Sequence, residues 1–127
     1  MRYEDVNKTL LAEFPAFIVA EDDFELAYIV AGLFTEYILK AHQVGNREVY
    51  HQGLRFIEIL HLDETQKVRE LATIGYLESI QNTWPQDLLN SGVPFHDLGE
   101  ESKKWWEKLN HFWAGDMKAL REDDYTE

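Results

Sequence analysis

The spacing of apolar residues predicts helices along almost the whole chain. The pattern is clearest over residues 23–43, where apolar side chains recur every three or four positions: Phe24, Ala27, Tyr28, Ala31, Phe34, Ile38 and Ala41. The other side of this segment is apolar too, since it carries Ile29, Val30, Leu33 and Tyr37. The sequence therefore predicts a central helix that is covered on several faces.

Four further helices are predicted around this one. The first spans about residues 3–14 and ends before Pro15, because proline disfavours the helical conformation in the residue that precedes it. Asp63 is predicted as the N-cap of another, with Gln66 three residues later. The three helices that follow the central one are expected at about residues 47–61, 63–80 and 100–113.

The remaining segments predict little regular structure. One helical turn is expected near residues 85–89, and residues 93–99, which contain Pro94 and Gly99, are expected to be irregular. No segment has a convincing strand pattern. The fold class predicted is all-α, either antiparallel helical hairpins in a HEAT- or armadillo-like stack or a compact helical bundle. We expect residues 1–115 to form a single helical domain and residues 116–127 to form an acidic, mobile C-terminal tail.

Charge then narrows the class of partner. The 127 residues contain 24 Asp and Glu against 12 Lys and Arg, which gives a net charge of −12. Such a surface repels nucleic acid and anionic membranes, so neither is expected as a direct partner. The apolar stretch from Leu26 to Leu39 is interrupted by Thr35 and Glu36 and is too short to span a bilayer. With no cysteine and no apolar run at the N-terminus, a cytoplasmic location is expected.

The strongest enzyme-like pattern is Glu-x-x-His, which occurs twice. The copies are Glu48-Val-Tyr-His51 and Glu58-Ile-Leu-His61. In di-iron bundles the two copies sit on different helices. Here both fall on one predicted helix, roughly 15 Å apart along its axis, so they cannot enclose one metal pair. We therefore expect no metal, no cofactor and no catalytic residue.

Acidic clusters and tryptophans are the candidate binding residues. The acidic ones lie at predicted helix starts or in the loops before them: Glu21, Asp22, Asp23, Glu25, Asp63, Glu64, Asp97, Glu100 and Glu101. Alternate helix starts emerge at the same end of a hairpin stack. Two groups of these residues, Glu21, Asp22 and Asp23 in one and Asp63 and Glu64 in the other, could therefore share one rim and speed association with a cationic protein. Trp84 and Trp105 are candidate interface anchors, and the alternative is that they fill the core.

Three stretches carry a resemblance to known proteins. They are Leu-Leu-x-x-Phe-Pro at residues 10–15; the helix opened by Asp63-Glu64, with Val68-Arg69-Glu70-Leu71-Ala72 and Gly75-Tyr76-Leu77-Glu78; and Leu98-Gly99 followed by Ser102-x-x-Trp105-Trp106-x-x-Leu109-x-x-Phe112-Trp113. The chain resembles small acidic all-helical bacterial proteins that are similar to immunity proteins of contact-dependent growth-inhibition and polymorphic toxin systems. The resemblance implies a HEAT-like fold and a cytoplasmic antitoxin.

The leading hypothesis is an immunity protein that binds and occludes a basic toxin domain, in particular a nuclease such as an EndoU-type RNase. Its acidic surface would mimic the phosphate backbone that the toxin grips. Two alternatives stay open. One is a non-enzymatic helical adaptor or scaffold. The other is a small metal-dependent enzyme that uses Glu48, His51, Glu58 or His61.

Overall fold

A computed structural model describes residues 1–115, and within this range the chain is helical without a β-strand. The predicted tail, residues 116–127, lies outside the described residues. We number seven helices in the described range, with α4 composed of three consecutive segments: α1 Val6–Glu13, α2 Ala27–Gln43, α3 Arg47–His61, α4 Gln66–Glu70 with Leu71–Leu77 and Glu78–Thr83, α5 Gln86–Asn90, α6 Val93–Asp97 and α7 Glu100–Trp113. Short 3-10 turns at Tyr3–Asp5 and Glu21–Asp23 precede α1 and α2.

The middle of α4 is the centre of the fold. Its segment Leu71–Leu77 is a π-helix, and it contacts α2, α3 and α7. Gly75 lets α2 approach closely, since a Cβ at this position would lie 3.3 Å from both the Ala31 Cβ and a Tyr28 ring carbon of α2. The all-α prediction is confirmed, and the helices form a compact bundle around α4.

An aromatic cluster joins four parts of the chain in the core. The Phe34 ring of α2 lies 4.8 Å from the Phe14 ring that follows α1, and 6.2 Å from both Phe56 of α3 and Tyr76 of α4. These contacts are edge-to-face, the arrangement that the charge distribution of aromatic rings favours. All four side chains are buried, so they fix how the first four helices meet.

Three local predictions need correction. Helix α2 begins at Ala27 rather than near Asp23, because the acidic residues before it form a separate 3-10 turn. Thr65, not Asp63, is the N-cap residue of α4. The segment expected to be irregular contains α6, which begins after Gly92 adopts a left-handed conformation and has Pro94 in its first turn, where proline is tolerated.

Candidate functional site: an acidic and apolar surface on α2

The outer face of α2 is exposed to solvent. Leu26, the N-cap residue of α2, and Ile29 are each 50% exposed and Leu33 is 38% exposed. The four-residue spacing of Ile29 and Leu33 places these two on one side of the helix. Glu25 and Glu36 lie at the two ends of this row. The expectation that α2 is covered on several faces holds where α1, α3 and α4 pack against it and fails for this outer face. We call Leu26, Ile29 and Leu33 the apolar row.

An uncompensated acidic cluster adjoins the apolar row. Glu21 and Asp22 are exposed and Asp23 is half-buried in the 3-10 turn before α2, and exposed Glu25 follows. None of the four carboxylates has an ion pair or a side-chain hydrogen bond within residues 1–115. Nothing in the described fold neutralises these four charges.

The acidic pair at the start of α4, Asp63 and Glu64, differs from this cluster because one of its carboxylates is bound within the fold. Asp63 accepts from the Met1 amino group at 3.0 Å and from the Thr65 backbone N–H at 2.9 Å, whereas Glu64 is exposed. Burial alone would raise the pKa of Asp63, but these bonds outweigh it and lower the pKa. Asp63 therefore holds the N-terminus against the start of α4, which makes it a structural carboxylate rather than a free one.

The starts of α2 and α4 lie at the same end of the bundle, with the N-terminal segment between them. The Lys67 ammonium of α4 lies 4.2 Å from the centroid of the Tyr3 ring, and Tyr3 lines a cavity together with Phe24 and Glu25. The structure thus places Glu21, Asp22, Asp23 and Glu64 at one end of the molecule, while Asp63 at that end is already bound.

The acidic residues around the start of α7 are Asp97, Glu100 and Glu101, and most of them form hydrogen bonds or ion pairs within the fold. Asp97 accepts from the Tyr50 hydroxyl at 3.0 Å, and Glu101 accepts from the Trp105 indole N–H at 3.3 Å and lies 3.8 Å from the Lys104 ammonium. Burial, followed by the charge of Asp97, raises the pKa of Tyr50. Only Glu100 projects fully into solvent, and its contact is a surface pair with Lys103.

Trp84 and Trp105 lie in the core and are not exposed as interface anchors. Trp84 is 4% exposed and donates its indole N–H to the Thr35 carbonyl, and Trp105 is fully buried. The prediction of a partner contact for these two rings is therefore corrected in favour of its alternative, that they fill the core. Trp113, at 54% exposure, is the tryptophan that faces solvent within residues 1–115.

The second Glu-x-x-His copy forms a junction between helices in which Glu58 is part-buried and His61 is buried. The Glu58 carboxylate accepts from the Ser102 hydroxyl and the Ser102 N–H, both at 2.8 Å, and from the Glu101 N–H at 3.0 Å. It thereby binds the free N–H groups that begin α7. A Cβ on Gly99 would collide with the end of the Glu58 side chain, which would then have to move.

His61 extends this junction to α4. Its Nδ1 lies 2.9 Å from the Ser102 hydroxyl and its Nε2 lies 3.1 Å from the Thr73 hydroxyl. Because the Glu58 carboxylate can only accept, Ser102 donates to it and accepts from His61 Nδ1–H, which leaves Nε2 to accept from Thr73. Burial lowers the pKa of His61 to about 4, although the charge of Glu58 and a hydrogen bond to the Ile57 carbonyl oppose this shift. The hydrogen bonds join α3, α4 and α7.

The first Glu-x-x-His copy lies apart from this junction. Glu48 is exposed and His51 is half-buried, and both line a shallow groove on α3 together with Arg47, Gln52 and Arg55. Within residues 1–115, no group of three or more His, Asp or Glu side chains has the arrangement needed to hold a metal ion. The structure therefore separates the two copies, as their spacing on one helix predicts.

Sequence reasoning missed the exposed apolar row although a signal was present. Glu25, Glu36 and Lys40 fall on the same helical face as Ile29, and charged residues at this spacing are typical of a face turned to solvent. The predicted coverage of α2 counted apolar positions around the helix and gave these charges too little weight.

The chain belongs to the family described as a domain of unknown function (DUF7674), which matches residues 7–114. No curated protein and no solved structure matches the chain. Within the described part of the chain, no helix combines the length and apolar character that crossing a membrane requires.

Proposed function

We propose that this protein is a non-catalytic binding protein that uses the apolar row and the adjoining acidic cluster to bind a basic partner protein. The observation that carries the proposal is the position of three exposed aliphatic side chains, Leu26, Ile29 and Leu33, directly after four unpaired carboxylates. Exposed apolar surface with a polar rim marks interaction sites in soluble proteins.

The two parts of this surface have separate roles in binding. Burying the apolar row stabilises the complex by about 25 cal/mol for each Å² removed from water, which acts mainly on the dissociation rate. The unpaired carboxylates at its edge speed the encounter with a cationic surface and disfavour an acidic one. A partner with an apolar centre and a basic rim fits both parts.

The specific form of the proposal is immunity. An acidic surface that occludes a basic toxin domain, such as that of a nuclease, would compete with the anionic substrate of the toxin. The support for this form is the sequence resemblance to immunity proteins together with a net charge of −12. A toxin gene beside the gene for this chain is expected on this proposal.

The test uses the full chain as bait and compares two matched isoleucines. Ile29→Glu places a charge in the apolar row, and Ile59→Glu makes the same change at an isoleucine of α3 with 46% exposure. A basic protein captured by the wild type and by Ile59→Glu, and lost with Ile29→Glu, supports the proposal. Capture that survives Ile29→Glu, or an acidic partner with salt-independent association, contradicts it.

The immunity form has its own test. When the captured protein is expressed alone, it should arrest growth, and co-expression of the wild-type chain should restore growth whereas Ile29→Glu should not. A captured protein that leaves growth unchanged would contradict immunity and favour the adaptor alternative.

A further inference from the structure

A cavity of about 370 Å³ lies where the N-terminal segment meets the start of α2. One wall comes from the 3-10 turn Tyr3–Asp5 and the first turn of α1, and the other wall comes from the residues that lead into α2. The lining side chains are Tyr3, Glu4, Asn7, Phe24, Glu25 and Ala27. Its size is at the small end of ligand sites, so it suits one long side chain or a small molecule.

Asn7 lines this cavity and carries a buried hydrogen-bond acceptor that has no partner within residues 1–115. The side chain is 6% exposed, and its Nδ2 donates to the Phe24 carbonyl at 2.7 Å. Because a carbonyl can only accept, this bond fixes the orientation of the amide and turns Oδ1 away from Phe24. Asn7 Oδ1 is buried without a partner within residues 1–115. An orphaned buried acceptor costs about 1–3 kcal/mol, so this amide is a costly element of the cavity wall.

The charges around the cavity favour a cation. Glu25 has no ion pair within residues 1–115, and the exposed carboxylate of Glu4 lies 3.3 Å from Arg2 Nε. The unpaired cluster of Glu21, Asp22 and Asp23 is adjacent in the chain. Arg2, Lys67 and the Met1 amino group are cations on this side, and Asp63 already binds the last of these, so the five carboxylates outnumber the two that remain.

Aromatic rings complete the cation-binding chemistry. Tyr3 and the 38% exposed Phe24 contribute the two rings of the lining. Lys67 already places its ammonium 4.2 Å from the centroid of the Tyr3 ring, which shows that this ring accepts a cation. Rings of this kind also pack against the aliphatic stem of a long basic side chain.

We propose that this cavity receives the side chain of one Lys or Arg from the partner protein. The ammonium or guanidinium group binds Glu25, and its stem lies against Phe24 beside the Asn7 side chain. For the source of the cation, this inference rests on the proposed function. A small free amine or guanidine would satisfy the same groups, and the two sources are separated by experiment.

The first experiment uses the full chain labelled with nitrogen-15 and two blocked amino acids, N-acetyl-lysine amide and N-acetyl-arginine amide. Either probe should shift the Asn7 side-chain amide resonances, whereas the neutral N-acetyl-norleucine amide should not. Glu25→Gln should weaken binding about fivefold, in line with a partly exposed ion pair. Glu13→Gln makes the same change at an exposed residue outside the cavity, at the end of α1, and should leave binding unchanged.

Two results would overturn the cavity proposal. One is no shift at Asn7 at roughly 50 mM probe, where a millimolar site is saturated. The other is equal binding of the norleucine probe. Methylamine or methylguanidine binding as tightly as the blocked amino acids would assign the cavity to a free small cation instead of a side chain.

The same variants separate this proposal from the proposed function. If a basic partner is lost with Ile29→Glu but binds Glu25→Gln and Phe24→Leu as it binds the wild type, the binding function stands and the cavity proposal fails. If the cationic probes shift Asn7 but no basic protein depends on Ile29, the proposed function fails and the cavity remains a cation site. Loss of the partner with Phe24→Leu, and not with Ile59→Glu, is the result expected if both are correct.

Discussion

Glu58 and Glu25 are both carboxylates in a chain of net charge −12, yet they differ in the hydrogen bonds and ion pairs that the fold gives them. Glu58 accepts three hydrogen bonds from the start of α7, whereas Glu25 has no side-chain hydrogen bond or ion pair within residues 1–115. Asp63 and Asp97 resemble Glu58 in this respect, since protein groups donate to both. Glu21 and Asp22 resemble Glu25. The acidity of the chain therefore has two components, and only one of them is available to a partner.

The difference is one of solvation. A carboxylate removed from water requires strong donors, because an unpaired buried charge costs several kcal/mol. Glu58 meets this requirement with two backbone N–H groups and one hydroxyl. A carboxylate in water requires no partner and adds little to stability. Substitutions should therefore lower the free energy of unfolding in the first group and leave it nearly unchanged in the second.

The largest effect is expected at Glu58. Glu58→Ala removes the acceptor for the Ser102 hydroxyl and for two N–H groups of α7, and should lower the free energy of unfolding by about 2–3 kcal/mol. Urea denaturation measures the loss. Glu48→Ala, the equivalent exposed position of the other Glu-x-x-His copy, should change it by less than about 0.5 kcal/mol. Equal losses in the two variants would contradict the division into bound and free carboxylates.

The second prediction concerns pH and His61. Burial lowers its pKa to about 4 in the folded state, below the value near 6.5 expected when unfolded, so the unfolded state binds more protons between these values. Stability should therefore be fully present above about pH 6.5 and fall by about 2 kcal/mol between pH 7 and pH 5. Urea denaturation across this range measures the slope.

A control separates His61 from the other titrating groups. His61→Asn should have a flatter pH dependence between pH 5 and pH 7 than the wild type. The ring resonances of His61 report its protonation directly and should remain those of a neutral imidazole at about pH 5.5. A ring that titrates near pH 6.5 in the folded protein would show that the junction does not hold it neutral.

Asp63 should have an intermediate effect. Asp63→Asn removes the charge that binds the Met1 amino group and weakens the bond from the Thr65 N–H, which should cost about 1 kcal/mol. Glu64→Gln, the adjacent exposed carboxylate, is the matched control and should be close to neutral. Thermal or urea unfolding distinguishes them, and the reverse ranking would place Asp63 with the free carboxylates.

Much of the fold follows from the sequence because helix periodicity is a local signal. The bounds of α3 and α7 agree with the prediction, since both helices have a clear apolar face. The start of α2 and the short α6 were missed because a 3-10 turn and a proline in a first helical turn depend on a few local dihedral angles.

The division of the acidic residues could not be predicted in the same way. Glu58 and Glu48 stand in the same motif, and only the packing of α7 on α3 decides that Glu58 is bound. Asn7 carries no sequence signal at all, because its role depends on a carbonyl that is 17 residues away. Contacts between distant segments set these roles, and a single sequence does not specify them.

The smallest effect on stability is expected for the acidic cluster before α2. The triple variant Glu21→Gln, Asp22→Asn, Asp23→Asn removes three charges that accept no side-chain hydrogen bond within residues 1–115, and the N-cap of their turn is Ala20. Its free energy of unfolding should stay within about 0.5 kcal/mol of the wild type, with a slight gain because self-repulsion falls. Urea denaturation at low and high salt checks this, since salt should stabilise the wild type more than the variant by screening that repulsion. A loss above about 1 kcal/mol would assign the cluster to the fold and remove it from the binding surface. An unchanged fold, together with slower association with a basic partner, would mean that these three charges attract the partner and do not stabilise the fold.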